Sequence, residues 1–230
     1  MRFVNAFLVV CLGFWLSPGA LAWAEESPGG DAADTEPPGA VLEIAYRFAG
    51  GQYNKDWSGS GTPVAIEHKG QTILDEGTDG TYCCGYTFTV VMIAAEERGL
   101  LKNKSVEQVE RFQKMWYGAV GDQTPRDRRI QERQVAMAMP ALKVGRAVKP
   151  ADAQPGDFLQ FWRTESGHSV IFLGWLKEDG QRVGVRYRSS QGSTYGIGDA
   201  EERFQNHGGK VDPRRMYFAR LDAGSVEPEE

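Results

Sequence analysis

Near residue 157 the hydrophobic period of the chain changes from mainly helical to that of strands, and that change constrains the fold more than any other feature. Before it, apolar residues recur at helical spacing. Phe88, Val91, Met92 and Ala95 share one face of a segment that opens at Cys83 and is stopped by Gly99. Ser105, with Gln108 three residues later, reads as a capping box for a second helix whose stripe is Val109, Phe112 and Trp116. Ile130 to Leu142 carries a third helical pattern that Pro140 is expected to break. Beyond the change the period is that of strands: Asp157–Trp162, Ser169–Trp175, Val183–Arg188 and Met216–Leu221, the second and third joined through Asp179-Gly180. Helices first and antiparallel strands afterwards is the α+β class. A short helix at Val41–Tyr46, a loop with Gly50-Gly51 and a small hairpin turning at Lys69-Gly70 precede the Cys83 segment.

The first residues read as an address. Arg2 is followed by an apolar run from Phe7 to Leu16, then Pro18-Gly19 and the small-x-small sites Ala20-Leu21-Ala22 and Ala22-Trp23-Ala24. That order predicts a secretory signal peptide over residues 1–24 and an exported protein, periplasmic or extracellular. The run is shorter than the ~20 residues a span needs, so no membrane span is expected after cleavage. Residues 25–40, rich in Pro, Gly and acid, read as a disordered linker, which leaves 41–223 as one domain. With 26 Lys and Arg against 31 Asp and Glu, the net charge of −5 argues against a nucleic-acid partner, whose binding draws on cations over phosphates. The 3 cysteines are too few for a disulfide framework, and Cys11 lies in the leader.

Three pieces carry chemistry. Cys83 and Cys84 open a helix, where unpaired N–H groups and the helix dipole favour a thiolate. His168 stands at the mouth of the apolar strand Ser169–Trp175, able to present its ring to a cleft. Ser189-Ser190-Gln191, on the next strand, offers a hydroxyl or amide to orient that ring. Of the other histidines, His68 beside Glu67 and Lys69 is expected to face solvent, and His207, in a Gly-rich loop, is a weak rival for the base. Arg186 and Arg188 read as a solvated strand face, with a bidentate clamp for a substrate carboxylate as the sharper alternative. The run Arg126 to Arg129 reads as a solvated helix start. No Cys-x-x-Cys or His-x-x-x-His spacing and no Walker or dinucleotide glycine motif occurs, so neither a metal nor a cofactor is expected.

Tyr46-Arg47-Phe48-Ala49-Gly50-Gly51, Cys83-Cys84-Gly85, Gln154-Pro155-Gly156-Asp157-Phe158-Leu159-Gln160-Phe161 and Gly167-His168-Ser169-Val170-Ile171-Phe172-Leu173-Gly174, in that order, resemble the NlpC-type papain-like cysteine peptidases, in a divergent branch near the CHAP-like amidases. The resemblance spans about Ala45 to Gln191. It implies a papain-like core, a Cys-bearing helix packed on an antiparallel sheet that carries His. It further implies hydrolysis of an amide in peptidoglycan stem peptides through a Cys thioester. Cys83 would be the nucleophile, His168 the base and Gln191, Ser189 or Ser190 the orienting group, with Tyr46 and Tyr82 as substrate or oxyanion contacts. Departures are Tyr82 and Cys84 where the family has Asp and Ser, the extra Ala49, and the insert Ser105 to Leu142. Matching Cys-x-Gly favours Cys83, with Gly85 allowing helix and sheet to approach, whereas the helical period aims Cys84 at the core. The same dyad would serve a protein amidase or transglutaminase, and an inactive relative would bind wall peptides or a partner protein.

Overall fold

The computed structural model describes residues 39–118, 132–164 and 166–223. The signal peptide expected over 1–24, most of the linker expected over 25–40, Ile130 and the run Arg126 to Arg129 lie outside the described residues. Four α-helices are described: α1 (Gly39–Tyr46), α2 (Cys83–Glu97), α3 (Val106–Trp116) and α4 (Gln134–Leu142). They come with a hairpin, β1 (Ile66–His68) and β2 (Gln71–Leu74), and six further strands: β3 (Gly145–Val148), β4 (Phe158–Trp162), β5 (Gly167–Glu178), β6 (Gln181–Gln191), β7 (Gly196–Arg203) and β8 (Met216–Leu221). The six form one antiparallel sheet in the order β3-β8-β4-β5-β6-β7. The chain is α+β, as the change of period predicts. None of the four helices is long and apolar enough to cross a membrane.

Both hairpin turns follow from left-handed backbone at two successive residues, Lys69-Gly70 and Asp179-Gly180, the geometry that matches strand twist. Strand alternation then divides the core. Phe158, Ile171, Ala219 and Leu221 meet the helices, while Leu159, Val170, Phe172 and Phe218 build a second cluster with Val185, Tyr187, Phe204 and Met216. The Ser105 capping box forms with both hydrogen bonds, and Val109, Phe112 and Trp116 are the buried stripe of α3.

α2 is more than amphipathic. Nearly every residue from Gly85 to Ala95 is buried, because the helix is covered by α1, α3 and the sheet together. Gly85 is required, but by a different neighbour than the sheet. A Cβ there would stand 2.1 Å from the Gly61 carbonyl oxygen and 2.8 Å from that of Ser60, so the helix touches a loop backbone. Gly85→Ala is expected to cost stability near the upper end of about 1–3 kcal/mol for overpacking. A urea midpoint equal to the parent's would show that the loop yields.

Three expectations are corrected. Pro140 does not break α4: it lies in the last turn, two residues before Leu142, and Lys143 ends the helix in a left-handed conformation. His68 is buried, since it shares the inward face of β1 with Ile66, and its Nε2 bonds the Lys104 carbonyl at 3.0 Å. Arg188 is not on a solvated face. It is buried, with its guanidinium on the carbonyls of Ala45 and Phe48, paired with Asp199 and stacked over Tyr46, so it caps the end of α1. Arg186 does face solvent, paired with Glu201.

Candidate active site

The segment that delivers Cys83 is held from two sides before the helix begins. Thr81 exchanges backbone hydrogen bonds with the 52–54 loop, its N–H to the Gln52 carbonyl and its carbonyl to the Asn54 N–H. From the sheet, Ser190 Oγ donates to the Thr81 carbonyl at 3.0 Å and lies 2.8 Å from Thr81 Oγ1. Tyr82 is the extended N-cap; its N–H bonds the Gly61 carbonyl and its hydroxyl the Gly59 carbonyl at 2.8 Å. Cys83 and Cys84 follow as the first two helical residues, both half-buried and free.

Opposite them, His168 is the second residue of β5, and its ring is wedged edge-on between Phe161 and Tyr187 with centroids 5.6 and 5.5 Å away. Strand register brings Gln191 to it. Ile171 pairs with Arg188, and His168 and Gln191 each stand three residues further toward the same end. Gln191 Oε1 sits 3.2 Å from His168 Nε2, and its amide donates to Thr194 Oγ1 at 2.9 Å, which fixes the amide's orientation. Nδ1 is thereby left as the ring nitrogen for the cysteine side. Behind the ring, Tyr187 donates to Glu202 at 2.7 Å, and Arg163 pairs with the same carboxylate. Burial works against ionising Glu202, but the Arg163 and Tyr187 hydrogen bonds hold its carboxyl below the usual range.

The two thiols differ. Their sulfurs are 3.9 Å apart, and Cys84 Sγ lies 3.8 Å from Ser169 Oγ. The hydrogen bond from Cys84 holds the Cys83 thiol well below its ordinary value against the opposing effect of burial, and the hydrogen bond and charge of His168 lower it further. Cys84 moves the other way, well up, through that same bond to Cys83, burial and the Cys83 charge. The two shifts favour ionisation of the Cys83 sulfur, at the helix N-terminus beside an imidazole, and disfavour it at Cys84. That arrangement can perform nucleophilic attack and proton transfer.

No family model, curated protein or solved structure matches the chain. The chemistry has to be read from the cleft itself.

A cavity of about 380 Å³ opens over Cys83, Cys84 and His168. Of the residues singled out in the sequence, Tyr82 also lines it, as a wall whose hydroxyl is committed to Gly59. Ser189 and Ser190 do not orient His168. Ser189 donates to the Ser169 carbonyl at 2.7 Å, tying β6 to β5, and Ser190 serves Thr81. Tyr46 does not line the cleft: it is half-exposed, and its hydroxyl donates to Asp199 at 2.8 Å beside Arg188. His207 lies in a short turn and also does not line the cleft. The Pro-Gly-Asp turn serves the sheet: Asp157 is buried and takes a bidentate pair from Arg220 at 2.7 and 2.9 Å. Among the described residues no cluster of three or more His, Cys, Asp or Glu is placed to hold a metal ion.

The cleft also takes residues that no spacing in the sequence signals. Trp57 comes from the loop before the helix, with left-handed backbone and an exposed ring. Tyr117 comes from the end of α3, Gln134 from the start of α4, and Gln160 and Trp162 from β4. Gln160 accepts from the Val135 N–H at 3.2 Å and so ties α4 to the sheet.

Gln191→Met, which keeps the length of the side chain, strips His168 and Thr194 of a buried partner. It is expected to cost about 1–3 kcal/mol of stability and to slow thiol alkylation at Cys83. A variant with the parent's urea midpoint and alkylation rate would show that Phe161 and Tyr187 alone hold the ring.

Proposed function

We propose that this chain is an exported cysteine hydrolase with a papain-like core that cleaves an amide bond, with peptidoglycan stem peptides as its substrate class. The observation that carries the reading is the trio itself: a thiol lowered at a helix N-terminus, an imidazole beside it, and Gln191 on the far ring nitrogen. The substrate class and the export rest on the motif order around Cys83 and His168 and on the leader-like first residues.

In the proposed reaction Cys83 Sγ attacks the amide carbonyl carbon, and the C–N bond breaks as the imidazolium of His168 gives its proton to the leaving amine. His168, now neutral, takes a proton from water, whose oxygen attacks the thioester and frees the acid and the thiolate. The charge that develops on the carbonyl oxygen is met by first-turn N–H groups of α2, which have no partner within the helix. The Tyr82 N–H is not among them, because it is bonded to Gly61. Gln191 keeps the imidazole in the tautomer and tilt the transfers need.

Purified sacculi incubated with the protein test the reading. Mass spectrometry should find new free amine and carboxyl ends at one amide of the stem peptide, and none with Cys83→Ala. Sacculi left intact, or cut equally by the variant, would reject the substrate or the nucleophile respectively.

A further inference from the structure

The cleft contains a polar group that the mechanism does not use. Gln134, the first residue of α4, is only 7% exposed, lines the cavity over Cys83, and its Nε2 has no hydrogen-bond partner among the described residues. An amide nitrogen buried without a partner lowers stability, and native proteins keep few of them. Trp175 Nε1 is also buried without a hydrogen-bond partner among the described residues, but Trp175 does not line the cleft. Gly118 keeps the amide's space clear. Its backbone is left-handed, and a Cβ there would meet the Gln134 amide oxygen at 2.5 Å and its nitrogen at 3.0 Å.

The nitrogen is a donor only, so its partner is an acceptor. No Lys, Arg, Asp or Glu among the described residues lines the cavity, which gives a carboxylate nothing to balance its charge and suits a neutral oxygen. We infer that Gln134 is a substrate-binding residue whose Nε2 donates to a carbonyl oxygen of a peptide substrate beside the bond presented to Cys83. This rests on the proposed reading of Cys83 as the nucleophile. A site built to hydrogen-bond a carbonyl discriminates against ligands that lack one, because the donor is then left buried and unpaired.

Gln134→Met keeps the length of the side chain and removes the donor. Two alkylating probes separate binding from thiol reactivity: acetyl-Ala-Ala chloromethyl ketone, which carries peptide carbonyls, and iodomethane, which carries none. The variant should react with the peptide reagent about tenfold more slowly than the parent, as for a lost hydrogen bond. It should react with iodomethane at the parent's rate and melt at or above the parent's temperature. An unchanged rate with the peptide reagent, an equal loss with both reagents, or a lowered melting temperature would each overturn the assignment and leave Cys83 as the nucleophile. A parent protein inert to both reagents at neutral pH would overturn the nucleophile reading and the Gln134 assignment together.

Discussion

Cys83→Ser is expected to abolish amide hydrolysis while leaving the fold intact, a fall of about four orders of magnitude or more, the scale on which a lost nucleophile is felt. Serine is close to cysteine in size, so α2 keeps its packing, but the surroundings that lower the thiol leave an alcohol, whose ordinary pKa is far higher, protonated. Cys84→Ser should retain activity. It replaces a thiol donor by a hydroxyl donor, so the Cys83 thiol should ionise at close to the parent's pH. Rates for the two variants with a hydrolysable peptide, alongside their circular dichroism, check both statements. An active Cys83→Ser beside an inactive Cys84→Ser would shift the nucleophile by one residue.

His168→Ala is the second large effect, a loss of at least ~100-fold, the contribution of a positioned general base. Its pH dependence has a definite sign. The hydrogen bond and charge of His168 are among the forces that lower the Cys83 thiol. Without them the thiolate forms later, and the rise of alkylation rate with pH moves to higher pH. The histidines outside the cleft supply controls with different signatures. His68→Ala removes a buried hydrogen bond to Lys104 and should lower the melting temperature without moving the alkylation curve. His207→Ala, in its surface turn, should change neither.

What the sequence made legible follows from how each element is buried. β8 is predicted with its observed bounds because both of its faces are apolar: Met216 and Phe218 fill one core cluster, Ala219 and Leu221 the other. β3 and β7 are missed. Both are edge strands: one is four residues long, and the other reads Gly-Ile-Gly-Asp-Ala-Glu-Glu-Arg, so its partner β6 imposes extended structure on a polar sequence. His68 was obscured by its charged neighbours, although the period of two that links it to Ile66 marks it as inward.

The site divides in the same way. Cys83 and His168 are legible because each sits at the opening of a strongly patterned element, and Gln191 because antiparallel pairing brings the end of one strand to the mouth of the other. Only the resemblance points to Tyr46, and in the fold its ring and hydroxyl pack against Arg188 and Asp199. Trp57 and Gln134 reach the cleft from a left-handed loop and from the start of α4, and only the tertiary fold sets their relation to Cys83.

The proposed reaction requires one thiol to be ionised and its neighbour not. Brief treatment with iodoacetamide at pH 6, followed by fragmentation of the peptide that contains both cysteines, reads this directly. The prediction is a label on Cys83, none on Cys84, and loss of the Cys83 label in His168→Ala at the same pH. Label appearing first on Cys84, on neither thiol below pH 8, or on Cys83 to the same extent without His168 would contradict it.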